Sequence, residues 1–513
     1  MPQLSLQGLA RPLLLLSAMA LSSPLKADNT SLNDLLNLIT PASSQTAVWI
    51  EDLQSGEQLL LSHNSETLMI PASTQKLLTA VTATELLGEE FRYHTSILST
   101  GSPKSGVLKG DLYLLFSGDP TLTRRDLTEL FKRVTEAGIS QVQGNLILIG
   151  ETHEQLRAPG WVWDDLGICY AAPVSSYVIN QNCVHGKLEP TLASDKAKIS
   201  APVYLPVKLT TNAIFDKGHK QGFCELQLDR LPGNHFHFSG CFPGSQVLPL
   251  ALAVNDPGQY AIDSVAGIIK GKLSIKGKIL TSNQLPASSR VVASHASDAL
   301  PELLETMLLE SDNLIADSLL KQLGKHYYGD GASFSAGAKA IREVLAEKGV
   351  VLERAQLIDG SGLSRYNLLN ARQLAQLLRL IADTPDYQWL MHKLPVSGQS
   401  GTLKYRKRYA NKPLKGRVWA KTGSMQGVVN LAGYVTDDSD KQVPRYLFVI
   451  LENGLSPQSK ELEAAPFATL LLQGLTDYRA NSRAEGQLAA KEQDKPKPTQ
   501  QEKAQTELNV SAR

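Results

Sequence analysis

Charge of one sign is missing from this chain: 51 Lys and Arg stand against 50 Asp and Glu, a net charge of +1 over 513 residues. That balance leaves no electrostatic footprint for nucleic acid. Long apolar runs are missing as well, since the stretch Leu13 to Leu21 is shorter than the roughly 20 residues a membrane-spanning helix needs. No internal repeat is evident, and no G-x-G-x-x-G or P-loop pattern follows a strand-like run, which argues against a repeat array and the common nucleotide sites. Aromatic residues stop at Tyr478, and the remaining tail of Gln, Lys, Glu and Ala is not expected to pack. What is present in quantity is apolar material, 42% of the residues. That is ample for packed cores in about two to four domains.

Arg11 precedes the short apolar run, and Leu25-Lys26-Ala27 follows it, a pattern that predicts an export signal over residues 1–27 cleaved before Asp28. The expected location is periplasmic. An uncleaved anchor and a peripheral membrane association both stay open, whereas lipid attachment is not expected because no cysteine follows the run closely. Cysteine is scarce but even in number: Cys169, Cys183, Cys224 and Cys241. In an oxidising compartment they read as two disulfides, for which sequence permits three connectivities. His235 and His237 would share a strand face near Cys241, as metal ligands do, yet no fourth ligand is suitably spaced. The sequence calls for no metal and no cofactor.

Three polar motifs in one order carry the chemistry: Ser73-Thr74-Gln75-Lys76, Ser311-Asp312-Asn313 and Lys421-Thr422-Gly423. Together they read as a serine acyl-transfer site that works without histidine. A serine hydroxyl needs a base within reach and donors for the oxyanion. Pro71 marks a helix start, and Leu77, Ala80, Val81 and Leu87 recur at helical spacing, which puts Ser73 in a first turn with Lys76 on the same face. Unpaired N–H groups there favour developing negative charge. Burial near other cations is expected to push Lys76 toward the neutral amine that can accept a proton.

Ser-x-x-Lys alone is weak, because Ser23 to Lys26 and Ser318 to Lys321 repeat it. The first copy falls in the export signal, and the second, inside an expected helix, reads as a solvated face. The companions decide for Ser73. Ser311-Asp312-Asn313 sits at a helix boundary, where a capping residue is the bland alternative. Lys421-Thr422-Gly423 follows Gly416 to Ala420 and precedes Gly427 to Tyr434, which read as two strands of a hairpin, and Gly423 suggests a turn or the close backbone approach that a substrate along an edge strand requires.

This triplet is shared by class A β-lactamases and penicillin-binding proteins. The chain resembles the latter, and more narrowly the class C low-molecular-mass group, the penicillin-binding protein 4 type of D-alanyl-D-alanine carboxypeptidase and endopeptidase. Ser117-Gly118-Asp119-Pro120-Thr121-Leu122, Ala158 to Asp165 and Asp359-Gly360-Ser361-Gly362-Leu363-Ser364-Arg365 fit that group as well. The resemblance implies Ser73 as nucleophile, Lys76 as general base and Ser311 as proton relay. It implies an oxyanion hole from the N–H groups of Ser73 and Ser424. It further implies that Asn313 binds the substrate backbone and that Lys421, Thr422 and Gly423 bind the terminal carboxylate. A subsite for a diaminopimelate side chain is implied at Asp165, Arg365 and Gln426, with Tyr170 where a related enzyme has Phe. The disulfides it implies are sequential, Cys169 with Cys183 and Cys224 with Cys241. Peptidoglycan stem peptides and β-lactam antibiotics are the implied partners.

The expected fold is α+β: a transpeptidase and β-lactamase-like antiparallel sheet with helices, interrupted by an insertion. From Ser73 to Ser311 the gap is 238 positions (311 − 73), much longer than in the resembled β-lactamases and room for one or two modules. The catalytic domain is expected over 28–95 and 286–478, a β-rich insertion of two subdomains over 96–285, and a disordered tail over 479–513. Strands are expected near Thr46 to Asp52, Gln58 to Leu61, Val428 to Tyr434 and Arg445 to Leu451, with helices from Leu300 to Ala382 and from Lys460 to Leu475. Two rivals share the motifs: a β-lactamase, whose deacylating Glu finds no place here, and a catalytically silent wall-binding or penicillin-sensing scaffold, for which a broken motif is expected.

Overall fold

Strands from the two ends of the chain meet in one antiparallel sheet. In the computed structural model, β1 (Gln45–Asp52), β2 (Leu59–His63), β3 (Val418–Met425), β4 (Val428–Thr436) and β5 (Pro444–Asn453) lie in the order β3-β4-β5-β1-β2. The structure describes residues 31–477 except 55–58, 152–153, 192–194, 217–221, 244–246, 330, 437–442 and 457–466. The expected export signal, the tail after Tyr478 and the first part of the helix expected from Lys460 lie outside the described residues, while 467–477 are helical. The chain divides into two units, residues 39–476 and the two chain ends, and the described part of the ends is chiefly the helix Leu32–Ile39.

β1 pairs with β5 along its whole length, from Gln45 opposite Asn453 to Asp52 opposite Tyr446. That pairing joins segments some 400 positions apart. Every residue of β4 is buried, so the centre of the sheet reads as a continuous apolar run without alternation. Helices α2 (Leu300–Leu309), α3 (Asn313–Tyr328), α4 (Phe334–Glu347) and α5 (Ala371–Asp383) fall where helices were expected. α5 shows why it docks: Leu374, Leu377, Leu378 and Ile381 form a buried stripe at helical spacing, and Tyr434 of β4 donates to the carbonyl of Leu378 at 2.7 Å. Arg379 on the same helix forks onto Glu51 of β1. The nucleophile helix α1 (Lys76–Leu87) is buried on all sides from Lys76 to Thr84, threaded among the others, and it packs most closely on α3 and α4.

The segment where an insertion was expected is bounded by paired strands His94–Ser99 and Arg290–Ala296, with Tyr93 N donating to Ser297 Oγ at 2.9 Å beside them. Those two strands belong to a five-stranded mixed sheet with Leu112–Leu115, Leu146–Ile149 and Ile279–Ser282. A second part carries sheets built on Cys183–Pro190 and His235–Pro243 and both disulfides, Cys169–Cys183 and Cys224–Cys241. The disulfides are thus sequential. One apolar core runs through both parts, from Ile97 and Leu148 to Phe236 and Leu252.

Short strands were expected through most of this region, and two 13-residue helices, Arg124–Glu136 and Pro257–Ile269, depart from that. Their start signals are ordinary. Thr123 and Asp126 form a reciprocal capping box, and Asp256 caps a helix that opens with Pro257. As for metal, His235 and His237 both share the hydroxyl of Thr210, at 2.8 and 2.9 Å. Among the described residues one cluster of potential ligands lies close together, Asp216 with Cys224 and Cys241, and its sulfurs are tied in a disulfide.

Candidate active site

Ser73, the expected nucleophile, sits on a single 3-10 turn, Ala72–Gln75, that runs into α1. Ala72 takes a left-handed φ of 47°, unusual for a residue with a Cβ. Two glycines from the other motifs make room for that turn. A Cβ on Gly362 would stand 1.9 Å from the carbonyl oxygen of Ala72, and one on Gly423 would stand 2.7 Å from that of Pro71. Gly423 was expected to mark close backbone approach, and what approaches is the nucleophile turn itself. Asn430 of β4 completes the clasp by donating to the carbonyls of Ile70 and Pro71, both at 2.9 Å.

Lys76 begins α1 and reaches back across the turn. Its buried Nζ donates to Ser73 Oγ at 2.8 Å, Asn313 Oδ1 at 2.7 Å and the carbonyl of Ser361 at 2.7 Å. Burial lowers its ammonium to about 8, while Asp317, Asp359 and Asp312 pull in the opposite direction. The neutralising push comes chiefly from desolvation, and the three carboxylates oppose it. Burial and Asp359 in turn raise the carboxyl of Asp317 to about 8. Asp317 Oδ1 accepts the N–H groups of Gly360 and Ser361 at 2.7 and 3.0 Å, which fixes the loop whose carbonyl meets Lys76. Asp359 holds the same loop, accepting from Gly362 N and Asn367 on one oxygen and from Trp161 and Ser364 N on the other. Asp317 and Asn367 were missed in the sequence because nothing local marks a buried carboxylate or amide that works through tertiary contacts.

Ser311 has a left-handed φ of 61° and turns the chain into α3. Asp312 is the N-cap, accepting from Ile315 N at 2.8 Å, so the bland capping role and a functional role coexist in one motif. Lys421 projects from β3 to donate to Ser311 Oγ at 2.9 Å and to the carbonyl of Thr422 at 3.1 Å. Burial, then Lys76 and Arg406, push its ammonium well below the ordinary lysine range. Asn313 joins the two halves of the molecule: Oδ1 receives Lys76, and Nδ2 donates to the carbonyl of Tyr170 in the inserted region at 2.8 Å.

A cavity of about 430 Å³ opens beside these groups. Ser73, Ser311, Asn313 and Ser424 line it on one side, and Asp165, Tyr170, Arg365 and Gln426 line the same space. The hydroxyl of Tyr170 donates to Asp165, and Arg365 donates to the carbonyl of Gln426 at 3.1 Å. All twelve expected catalytic and binding residues therefore meet around one cleft, with Lys76, Lys421, Thr422 and Gly423 behind its wall. Arg406, absent from the expected set, donates to Ser424 Oγ at 3.2 Å, and Thr402 shares a 2.7 Å bond with Thr422.

The second Ser-x-x-Lys differs from its expected place. Ser318 and Lys321 lie on α3 but are buried, not solvated. Lys321 donates to the carbonyls of Gln155 and Val174, both at 2.7 Å, and pairs with Glu154 at 3.5 Å. Its amine is saturated by structural partners.

The profile of the D-Ala-D-Ala carboxypeptidase 3 (S13) family matches residues 29–473. The chain belongs to this family of D-Ala-D-Ala carboxypeptidases. It is 33% identical to the D-alanyl-D-alanine carboxypeptidase DacB of Haemophilus influenzae over 435 residues, 83% of this chain and 89% of that one. The D-alanyl-D-alanine carboxypeptidase of an Actinomadura species is 30% identical over 444 residues, 80% of this chain and 78% of that protein. The crystal structure of penicillin binding protein 4 from Haemophilus influenzae superposes with a TM-score of 0.81 at 32% identity, covering 87% of this chain and 99% of that one. A structure of the same H. influenzae protein complexed with a β-lactam superposes at 0.76 with 30% identity, again over 87% and 99% of the two chains. The family's enzymology thus rests here on a cleft in which none of the three motifs is broken.

Proposed function

We propose that this serine D-alanyl-D-alanine carboxypeptidase works through an acyl-enzyme on Ser73, with peptidoglycan stem peptides as its substrates. Ser73 Oγ attacks the carbonyl carbon of the penultimate D-alanine while its proton passes to Lys76. The N–H groups of Ser73 and Ser424 receive the oxyanion. The amide C–N bond then breaks, and Ser311, backed by Lys421, relays the proton from Lys76 to the departing amine of the terminal D-alanine, which leaves Lys76 neutral again. Water attacks the ester, Lys76 accepts the water's proton, and the shortened peptide leaves with a new carboxylate. Asn313 has a second N–H for the substrate backbone, and the Ser424 hydroxyl lines the cleft where it can meet the terminal carboxylate, with Thr422 behind it.

Asp165 and Arg365 place opposite charges in the same cleft, which suits the ammonium and carboxylate of a diaminopimelate side chain. Cross-links whose donor strand ends in the same D-alanyl carbonyl are substrates on the same chemistry, giving endopeptidase activity. β-Lactams, whose strained amide mimics the dipeptide terminus, acylate Ser73. An exported, periplasmic protein fits this substrate, and no helix among the described residues is long and apolar enough to cross a membrane.

One observation carries the reading: a buried lysine amine, held toward its neutral form, stands 2.8 Å from Ser73 Oγ. Brief exposure to benzylpenicillin, followed by intact-mass and peptide-mapping spectrometry, tests it. A persistent adduct on Ser73 is expected. Rapid loss of the drug without an adduct would instead identify a β-lactamase, and intact drug with unmodified protein would identify a silent scaffold.

A further inference from the structure

Two cations border the leaving-group side of the cleft, and they are in opposite situations. Lys421 is fully buried, and its Nζ is engaged by Ser311 Oγ and by the carbonyl of Thr422. A lysine whose amine is so placed, and which burial and neighbouring cations hold toward neutrality, is poorly suited to greet an incoming anion. Arg406 is half-exposed and presents a guanidinium with five N–H donors. Among the described residues it makes no ion pair, and its one side-chain hydrogen bond goes to Ser424 Oγ, a group that lines the cleft. Most of its five N–H donors therefore remain for a ligand. The surroundings reinforce it: between Asp386 and Asp437 the sequence holds no acidic residue, although the chain as a whole is balanced, and Lys404, Lys407 and Arg408 beside it are exposed. Asp164, Asp165 and Arg365 line the same cleft.

We propose that Arg406 is the specificity-determining residue that receives the carboxylate adjacent to the leaving amine, forking onto it beside the Thr422 and Ser424 hydroxyls, while Lys421 serves Ser311. The inference rests on the peptidase reading above and assigns the charge recognition within it to a residue outside the three motifs. A planar guanidinium matches a carboxylate through two parallel hydrogen bonds, which a buried ammonium cannot supply. The required chemistry on the substrate is an α-carboxylate on the residue that leaves. A free terminal amino acid carries one, and so does a cross-linked diaminopimelate, whose side-chain amine sits on a carbon that bears a carboxylate. A leaving residue capped as a neutral amide does not.

Two matched peptides, one ending in D-Ala-D-Ala and the other in D-Ala-D-alaninamide, give the test, with kcat/KM measured for release of the last residue from each. The wild-type protein is expected to prefer the carboxylate. Arg406→Gln is expected to cut that preference by about 10- to 100-fold, the range for one charge-assisted interaction. Arg406→Lys should restore part of it. Lys421→Gln should slow both peptides and leave their ratio close to the wild-type value. An unchanged ratio in Arg406→Gln, or a collapse of the ratio only in Lys421→Gln, overturns the inference while leaving the peptidase intact. A wild-type protein that releases neither product overturns the peptidase reading and this inference together. Thermal melting of each variant separates lost recognition from lost folding.

Discussion

Ser73 with Lys76 and Ser318 with Lys321 repeat one spacing in one molecule, and the contrast between them shows what the motif needs. Both lysines are buried, and burial pushes both toward the neutral amine. Their donors are spent differently. Lys76 directs one hydrogen at its own serine, 2.8 Å away, whereas Lys321 spends its hydrogens on the carbonyls of Gln155 and Val174 and on Glu154, leaving the Ser318 hydroxyl without a partner among the described residues. Position in the helix is part of the cause. Ser73 precedes α1, so its lysine, the first residue of the helix, can lean back over the turn, while Ser318 is embedded in α3. Spacing puts a serine and a lysine on one face, and the neighbours decide whether they become a reacting pair or a tie between the helix and the inserted region.

The largest effect that would break this contrast is on the nucleophile. Ser73→Ala is expected to lower kcat/KM on a D-Ala-D-Ala peptide by about 10⁴-fold or more, and the variant should gain no penicilloyl mass. An adduct that moved to Ser318 would erase the distinction. Next come the lysines. Lys76→Met should cost roughly 10²- to 10⁴-fold in kcat, the scale of a lost general base, with its urea midpoint read alongside. Lys321→Met instead removes the cation from Glu154, whose carboxylate keeps hydrogen bonds from Ser175 Oγ and Ser176 N, so up to about 3–5 kcal/mol of stability should be lost while activity per folded molecule persists.

A pH profile sharpens the same comparison. On the proposed mechanism the competent form of Lys76 is the neutral amine, and burial lowers its ammonium to about 8. Turnover should therefore climb about tenfold per pH unit below that value and level off above it. Lys321→Met should leave this limb where it is, and a limb that moved would mean that the two lysines are not independent. The smallest effect belongs to Ser318→Ala. Removing a buried hydroxyl that lacks a partner should change stability by less than about 1 kcal/mol, in the stabilising direction, and leave D-alanine release unaltered.

The motifs were legible because each is local: a turn entering a helix, a helix cap and a strand. The sheet strands at the two chain ends and the helices between Leu300 and Ala382 were legible from periodicity. Arg406 and Thr402 were not, because the segment around them, from Trp389 to Leu414, is built of turns and 3-10 pieces with no period to read. Lys321 was misread for a related reason. A lysine on a helix is normally solvated, and the carbonyls that bury it come from Gln155 and Val174, more than a hundred residues away. The two insertion helices carried readable caps at Thr123 and Asp256, but the many short strand-like runs around them dominated the pattern.

The bond from Asn313 to the carbonyl of Tyr170 has a consequence for anyone seeking a minimal catalytic domain. Tyr170 follows Cys169, which is bridged to Cys183, so that carbonyl is held by the very part a truncation would discard. A shortened enzyme would keep all three motifs and still lose an acceptor one step from Lys76. Conversely, grafting the inserted region of a relative could alter the aim of the Asn313 amide without changing any motif residue. The insertion is a handle on the chemistry as well as an ornament of the fold.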